Sequence, residues 1–457
     1  MDGDMDIMEH VGEDKVFTIT DQGTPDPFVV VHGGLFYMTF TTGSSIEIWT
    51  SPTLLSLQHS ATKTTVWRPP PNTPYSADVW APELHNVGGQ WYVYFAAADP
   101  KVGNRSHRMY VLAGPPGNAA PVGHSHYQFG GHQFPGQSVL NSAMGKSEQQ
   151  WEFLGPLRGL PPDQWAIDGT VIHLNSKTYF VYSGWPLGET VSEKRQELFI
   201  TELLTPIQTT GALPICISTP TEPWEISGDA GINEGPQWLS LRGTGGRSHG
   251  HHHHHLCGMD STPTWQGIVY SASGSWTPEY CLATLTYNGG NPLDPSSWQK
   301  GYGPLLKGRS DGRGPFGPGH GSFVEVVGTE GRKETWAVFH ATDKPGGWDG
   351  RKARAMIVSV GDDVGAGIAG LGKRELGMGP RIGRGVVGES VDTGRMMNIG
   401  VGYGNGHGNI TGGGGDAGGG STEMLVGKQH EDGKRGKRGM LKELGREVKG
   451  VMKGILK

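Results

Sequence analysis

The chain has 457 residues, and 38 Lys+Arg against 44 Asp+Glu leave a formal charge of −6. So mild a balance argues against nucleic acid as the main partner, and the lack of any run of ~18 apolar residues excludes a transmembrane helix. Three cysteines, Cys216, Cys257 and Cys281, are too few and odd in number for a disulfide scaffold, although one bridge remains open. The 77 glycines are far above the usual share of ~7% and are concentrated towards the end of the chain.

Residues 1–14 are acidic and lack the basic-then-apolar pattern of a secretory signal peptide, which leaves localisation open. Asn104-Arg105-Ser106 and Asn409-Ile410-Thr411 fit the glycosylation sequon, which matters only in a secreted chain.

From there to residue 360 one pattern recurs: a polar opening, a short apolar run, a tight turn, then an aromatic-rich run. The copies open at Asp26, Glu83, Asp168, Glu234 and His320, and their turns include Gly33-Gly34, Gly88-Gly89 and Asn175-Ser176. Each reads as a β-hairpin, because β-branched and aromatic residues fill the runs and turn residues separate them. A third apolar run usually follows, at 45–49, 109–113, 197–203, 279–286 and 354–360. Helical periodicity is nearly absent. Radial repetition of such units predicts an all-β fold, a five-bladed β-propeller over 21–360, with a β-sandwich as the structural alternative.

Residues 1–20 read as an N-terminal extension. Residues 243–261, which include the run His251 to His255, read as a low-complexity loop insertion; the run resembles an affinity tag, and imidazoles there also suit a metal. Residues 361–438 are Gly-rich, with too few aromatics to bury surface, and predict disorder. In 439–457, Leu441, Leu444, Val448, Val451 and Ile455 share one helical face, with Lys442, Arg446, Lys449 and Lys453 off it. That basic amphipathic helix suits an anionic membrane surface or a partner, or is an appendage without a role.

Hydrolysis of a glycosidic bond needs two carboxyl groups flanking it, one to donate a proton and one to activate water or attack the sugar. A third carboxyl nearby raises the acid's pKa. Asp26, Asp168 and Glu234 each open a hairpin, so a propeller gathers them at one mouth of its axis. Taken singly, Asp26-Pro27 and Asp168-Gly169 also read as turns, and Glu234 as a surface acid.

At these residues the chain resembles glycoside hydrolase family 43, whose members are five-bladed propellers. Asp26-Pro27-Phe28 resembles the general-base motif, Ala166-Ile167-Asp168-Gly169-Thr170 the segment holding the pKa-modulating aspartate, and Asn233-Glu234-Gly235-Pro236 the general-acid motif. Trp80-Ala81-Pro82-Glu83 and Gly317-Pro318-Gly319-His320-Gly321-Ser322 match further segments in the expected order. The resemblance implies an inverting mechanism: Asp26 as base, Glu234 as acid, Asp168 orienting Glu234 and raising its pKa. It also implies that His320 sits in the central channel, where relatives often hold a hydrated calcium or sodium ion; the alternative is a satisfied buried histidine. No cofactor is needed for the chemistry. Arg351 resembles an arginine that contacts the sugar, and Trp80 and Trp185 are candidate sugar platforms, or else core.

Within the family the runs 80–85, 107–112 and 268–277 most resemble exo-acting α-L-arabinofuranosidases. The expected reaction is release of terminal arabinofuranose from arabinan, arabinoxylan or arabino-oligosaccharides. The alternatives are a β-D-xylosidase and a catalytically disabled carbohydrate-binding propeller; a fructan-cleaving relative is disfavoured by the absence of its other motifs. Relatives continue past the fifth hairpin with an aromatic strand and a closing motif, whereas this chain enters its Gly-rich stretch, leaving closure of the last blade open.

Overall fold

The computed structural model describes residues 15–123, 151–189, 194–242, 263–309, 312–327, 333–360, 374–375 and 377–378. The hairpins form where the turn residues permit them. Gly33-Gly34, Gly88-Gly89 and Asn175-Ser176 have φ of 56° and 82°, 61° and 80°, and 51° and 62°. Two successive left-handed residues are what a two-residue turn needs to match the twist of its strands. Around these turns Phe28–His32 pairs with Leu35–Thr39, Ala77–Val87 with Gln90–Ala98, and Ala166–Leu174 with Lys177–Gly184. Ala230–Arg242 pairs with Pro263–Ala272 and Phe316–Val327 with Lys333–Thr342 across longer connections.

Each hairpin gains a third antiparallel strand: Ile46–Ser51, Arg108–Pro116, Arg195–Thr205, Cys281–Tyr287 and Lys352–Val360. Outer strands Thr62–Trp67, Glu152–Pro156, Ile215–Ser218 and Trp298–Lys300 complete the first four blades. The fold is the expected five-bladed propeller. A parallel pairing of Arg195 and Gln196 with Gly231 and Ile232 stitches the third blade to the fourth.

Five buried apolar clusters lie one between each pair of neighbouring blades, the last joining blade five to blade one. Period-two alternation makes this possible. Along Gln90–Ala98, Tyr92, Tyr94 and Ala96 pack against the third blade, while Trp91, Val93, Phe95 and Ala97 pack against the first. With both faces buried, such a strand reads as an unbroken apolar run.

The last blade is closed by the other end of the chain. Lys15–Thr18 is its outer strand, pairing Phe17 with Ala355 and Thr18 with Arg354. This corrects the boundary at residue 20: 15–20 belong to the propeller. Ile19 N donates to Ala353 O at 3.0 Å, Thr24 N to Arg351 O at 2.8 Å, and Ala353 N to the hydroxyls of Thr20 and Thr24, both at 3.0 Å. The closing strand comes from more than 330 positions away, so the local pattern after residue 350 gave no hint of it.

Within the stretch expected to be disordered, Arg374–Glu375 pairs in parallel with Leu306–Lys307, and Gly377–Met378 with Lys15 and Val16. The 243–261 insertion with His251–His255, the rest of 361–438 and the 439–457 helix lie outside the described residues. Among the described residues Cys216 and Cys281 are free thiols, and no helix is long and apolar enough to cross a membrane.

Candidate active site

The inner strands depart from regular geometry at one height. At that height each blade presents a left-handed residue: Asp26 (φ 57°), Ala81 (42°), Asp168 (55°), Gly235 (54°) and His320 (48°). In blades two to five the ladder slips there, between Trp80 and Glu83, Ile167 and Thr170, Glu234 and Gln237, and Gly319 and Ser322. A bulge leaves its extra residue unpaired and re-aims the side chains around it. Left-handed backbone costs a non-glycine residue about 1–3 kcal/mol and persists where surrounding contacts impose it, typically at functional sites. At Gly235 a Cβ would stand 3.3 Å from the His320 ring, so the one glycine of the five makes room for the histidine.

The bulge refines the expected equivalence of the acids. Asp26 and Asp168 are themselves the left-handed residues of their blades, Glu234 precedes its left-handed residue by one, and Glu83 follows its own by two. Glu83 therefore sits a layer deeper, where His85 Nε2 lies 2.7 Å from its Oε2 and Gln237 Nε2 donates to its Oε1.

Asp26 is surrounded by positive and donating groups. Thr41 Oγ1 donates to its Oδ2 at 2.6 Å. Its Oδ1 lies 3.3 Å from His320 Nδ1, 3.3 Å from His340 Nδ1 and 3.8 Å from Arg351 Nη1. Burial pushes its pKa up, but the neighbouring His320 and Arg351 outweigh that and hold the carboxyl well below the usual range.

Glu234 has the opposite surroundings. Among the described residues it accepts one side-chain hydrogen bond, from Tyr280 OH at 2.8 Å. Burial, with the charge of Asp26 adding to it, lifts its pKa to about 7 against the pull of Tyr280 and Arg351. Asp168 is also raised well above its ordinary value, first by burial, then by Glu234 and Asp26. Two buried carboxyls this close cannot both ionise cheaply, so they titrate as a pair that keeps a proton towards neutral pH. Asp168 Oδ2 accepts from Gly235 N at 3.0 Å, which pins the backbone beside Glu234. An ionised carboxylate facing a protonated one can activate water on one side of a sugar and donate a proton on the other.

The other expected residues divide. His320 and Arg351 join the acids. Trp80 is half-buried beside the mouth, one face stacked on His107 at 4.0 Å between ring centroids. Trp185 is corrected to core: it is 2% exposed, its indole stacked on Trp165 at 5.1 Å, so it offers no face to a sugar.

Residues 18–244 match the model of the family described as "Glycosyl hydrolases family 43". An extracellular exo-alpha-(1->5)-L-arabinofuranosidase of Streptomyces chartreusis is 29% identical over 69% of this chain and 79% of its own length. Another with the same name, from Streptomyces avermitilis, is 28% identical over 69% of this chain, which spans only 54% of that protein. A solved alpha-L-arabinofuranosidase from Lactobacillus brevis is 25% identical, with a TM-score of 0.55 over 73% of this chain and 90% of that one. The chain belongs to glycoside hydrolase family 43.

Three contacts of this family 43 site escaped the sequence reading. Tyr280 holds Glu234. Thr41 bridges two blades, donating to Asp26 while its Oγ1 accepts from Ala81 N at 2.7 Å. His340 accepts from the Asp26 backbone N at 3.0 Å. Burial drives the His340 pKa down to about 4, so the ring is neutral and its Nδ1 lone pair is free to accept. A signal existed. In blades three to five the second strand carries a polar residue opposite the bulge: Ser183, Ser271 and His340 face Ile167, Glu234 and Gly319. Each makes a bond at the site, Ser183 to Asn233 O at 2.9 Å and Ser271 from His320 N at 2.6 Å.

Proposed function

We propose that this chain is an inverting glycoside hydrolase that releases terminal α-L-arabinofuranose from arabinan, arabinoxylan or arabino-oligosaccharides. The observation that carries the reading is the opposed pair: Asp26, held ionised by His320 and Arg351, and Glu234, held protonated by burial. Family membership and the arabinofuranosidase names of its relatives supply the sugar. In the reading, Asp26 takes a proton from water as that water attacks the anomeric carbon, and Glu234 gives its proton to the departing glycosidic oxygen. Asp168 fixes Glu234 through Gly235 N and shares its proton. Arg351 and Trp80 contact the sugar in the pit.

A calcium or sodium ion beside His320 belongs to the reading only as a structural element. Among the described residues no group of three or more His, Cys, Asp or Glu side chains is arranged to hold a metal. Such an ion would be held largely through water, and no step is routed through it.

The test is hydrolysis of α-1,5-linked arabinobiose, 4-nitrophenyl α-L-arabinofuranoside and 4-nitrophenyl β-D-xylopyranoside, with Glu234→Gln beside the unsubstituted protein. Loss of a general acid costs roughly 10²–10⁴-fold. The expected pattern is a loss of that size on arabinobiose and a smaller one on the nitrophenyl arabinoside, whose leaving group needs little protonation. Preference for the xyloside would replace the sugar and keep the mechanism. A folded protein inert towards all three would favour a disabled, sugar-binding propeller.

A further inference from the structure

Two tryptophans outside the carboxylate cluster are exposed where every other is buried or half-buried: Trp276 (37%) and Trp348 (59%). They lie in the loops joining the second and third strands of blades four and five. Loops of this kind carry the site. Thr41 reaches Asp26 from the first blade's, Tyr280 reaches Glu234 from the end of the fourth blade's, and Arg351 reaches Asp26 from the fifth blade's. Trp276 is four residues before Tyr280 and Trp348 three before Arg351, so the indoles stand on the rim of the same mouth.

They are held there. Gly347 N donates to Trp276 O at 2.7 Å, and the Trp348 indole N–H to Ser275 Oγ at 3.3 Å, tying the two loops across the seam between blades. Arg351 Nε donates to Trp348 O at 3.1 Å, joining the rim to the arginine beside Asp26. A Cβ on Gly274 would come within 2.8 Å of the Trp276 ring, so that ring lies back over the glycine. The ring centroids are 5.7 Å apart with planes tilted at 58°, and both residues keep a third or more of their surface exposed.

We propose that Trp276 and Trp348 form a platform for the leaving-group sugar, the residue that follows the scissile bond. The inference rests on the functional reading above and adds the part of the substrate outside the pit. Asp168, Glu234 and His320 are all less than 9% exposed, so the pit receives one terminal sugar and the next ring emerges at the rim. It emerges on the side of Glu234, because the acid protonates the oxygen joining the two rings, and Trp276 shares a loop with the tyrosine that holds that acid. A fixed indole presents a flat apolar face to sugar C–H groups and loses little freedom on binding.

The experiment compares two substrates with the same terminal sugar: α-1,5-linked arabinobiose, which has a leaving-group ring, and methyl α-L-arabinofuranoside, which has none. The readout is the ratio of their kcat/KM values in the unsubstituted protein, Trp276→Ala, Trp348→Ala and Trp348→Phe. The ratio is expected to fall about tenfold in each alanine variant, mainly through a higher KM for arabinobiose, and to recover most of that in Trp348→Phe. An unchanged ratio, or an equal loss on both substrates, overturns the platform. A protein that prefers xylobiose and methyl β-D-xyloside refutes the sugar assignment alone, and their ratio then tests the platform in the same way. Inertness towards all four glycosides overturns the functional reading and this inference with it.

Discussion

Two buried glutamates in neighbouring positions of the fold have opposite surroundings. Glu225, 0% exposed, is saturated: Asn233 Nδ2 (2.9 Å) and Tyr270 OH (2.7 Å) donate to one oxygen, and Thr221 N (2.7 Å), Glu222 N (2.9 Å) and Lys300 Nζ (2.8 Å) to the other. Glu234, 8% exposed, receives Tyr280 OH and has Asp168 and Asp26 for company. The protein replaces water for the first carboxyl and withholds it from the second. One is a strut and the other a proton donor. The two are joined through Asn233, which donates to Glu225, accepts from Ser218 Oγ at 2.7 Å, and precedes Glu234 in the chain.

The same substitution at both positions should break the comparison apart. Glu225→Gln leaves the Lys300 ammonium without its partner and turns an amide N–H₂ towards backbone donors. Removing one member of a buried ion pair costs about 3–5 kcal/mol. Urea unfolding should show a loss of that size, with activity falling only as far as the folded fraction falls. A loss below about 1 kcal/mol would mean that the Glu225 network is not a strut.

That network shows what the sequence could and could not convey. The hairpins were legible because turn residues and apolar runs are local, and Asp26, Asp168 and Glu234 because short motifs surround them. Glu225 was not, because its partners are residues 221, 222, 233, 270 and 300 and no short pattern joins them. Trp185 read as a platform because a tryptophan after Ser183-Gly184 has the same residue type whether it faces a sugar or stacks on Trp165. The last blade seemed open because its fourth strand, Lys15–Thr18, precedes the first hairpin and lies far from that blade in sequence.

His340 sharpens the other half of the comparison, the ionised side of the site. It holds the strained Asp26 by its backbone, opposite the acid that Tyr280 holds by its side chain. His340→Phe keeps the stacking on Tyr280 (5.6 Å, 12°) but removes the acceptor for Asp26 N. Misplacing a reacting group by ~1 Å can cost up to ~10²-fold. The variant should therefore lose about 10–100-fold in kcat with little change in KM. His340→Asn, whose Oδ1 can stand where Nδ1 stood, should recover most of the loss. Equal loss in both variants, or a loss carried by KM, would deny His340 a positioning role.

The smallest effect tests the withheld solvation itself. Folding raises the Glu234 pKa from its ordinary 4.5 to about 7. The protonated carboxyl is thus compatible with the fold below pH 4.5, and that contribution is lost as pH rises through 7, when the buried group must ionise. Glu234→Gln is neutral throughout and escapes the loss. Its stability relative to the unsubstituted protein should improve between pH 5 and pH 8 by about 1–2 kcal/mol, less than a shift of this size gives for an isolated group, because Asp168 shares the proton. The activity of the unsubstituted protein should fall over the same rise in pH, as the donor is emptied. A constant difference in Tm at pH 5 and pH 8 would mean that Glu234 is already ionised at pH 5. The proton for the leaving group would then have to come from Asp168, the other half of the pair.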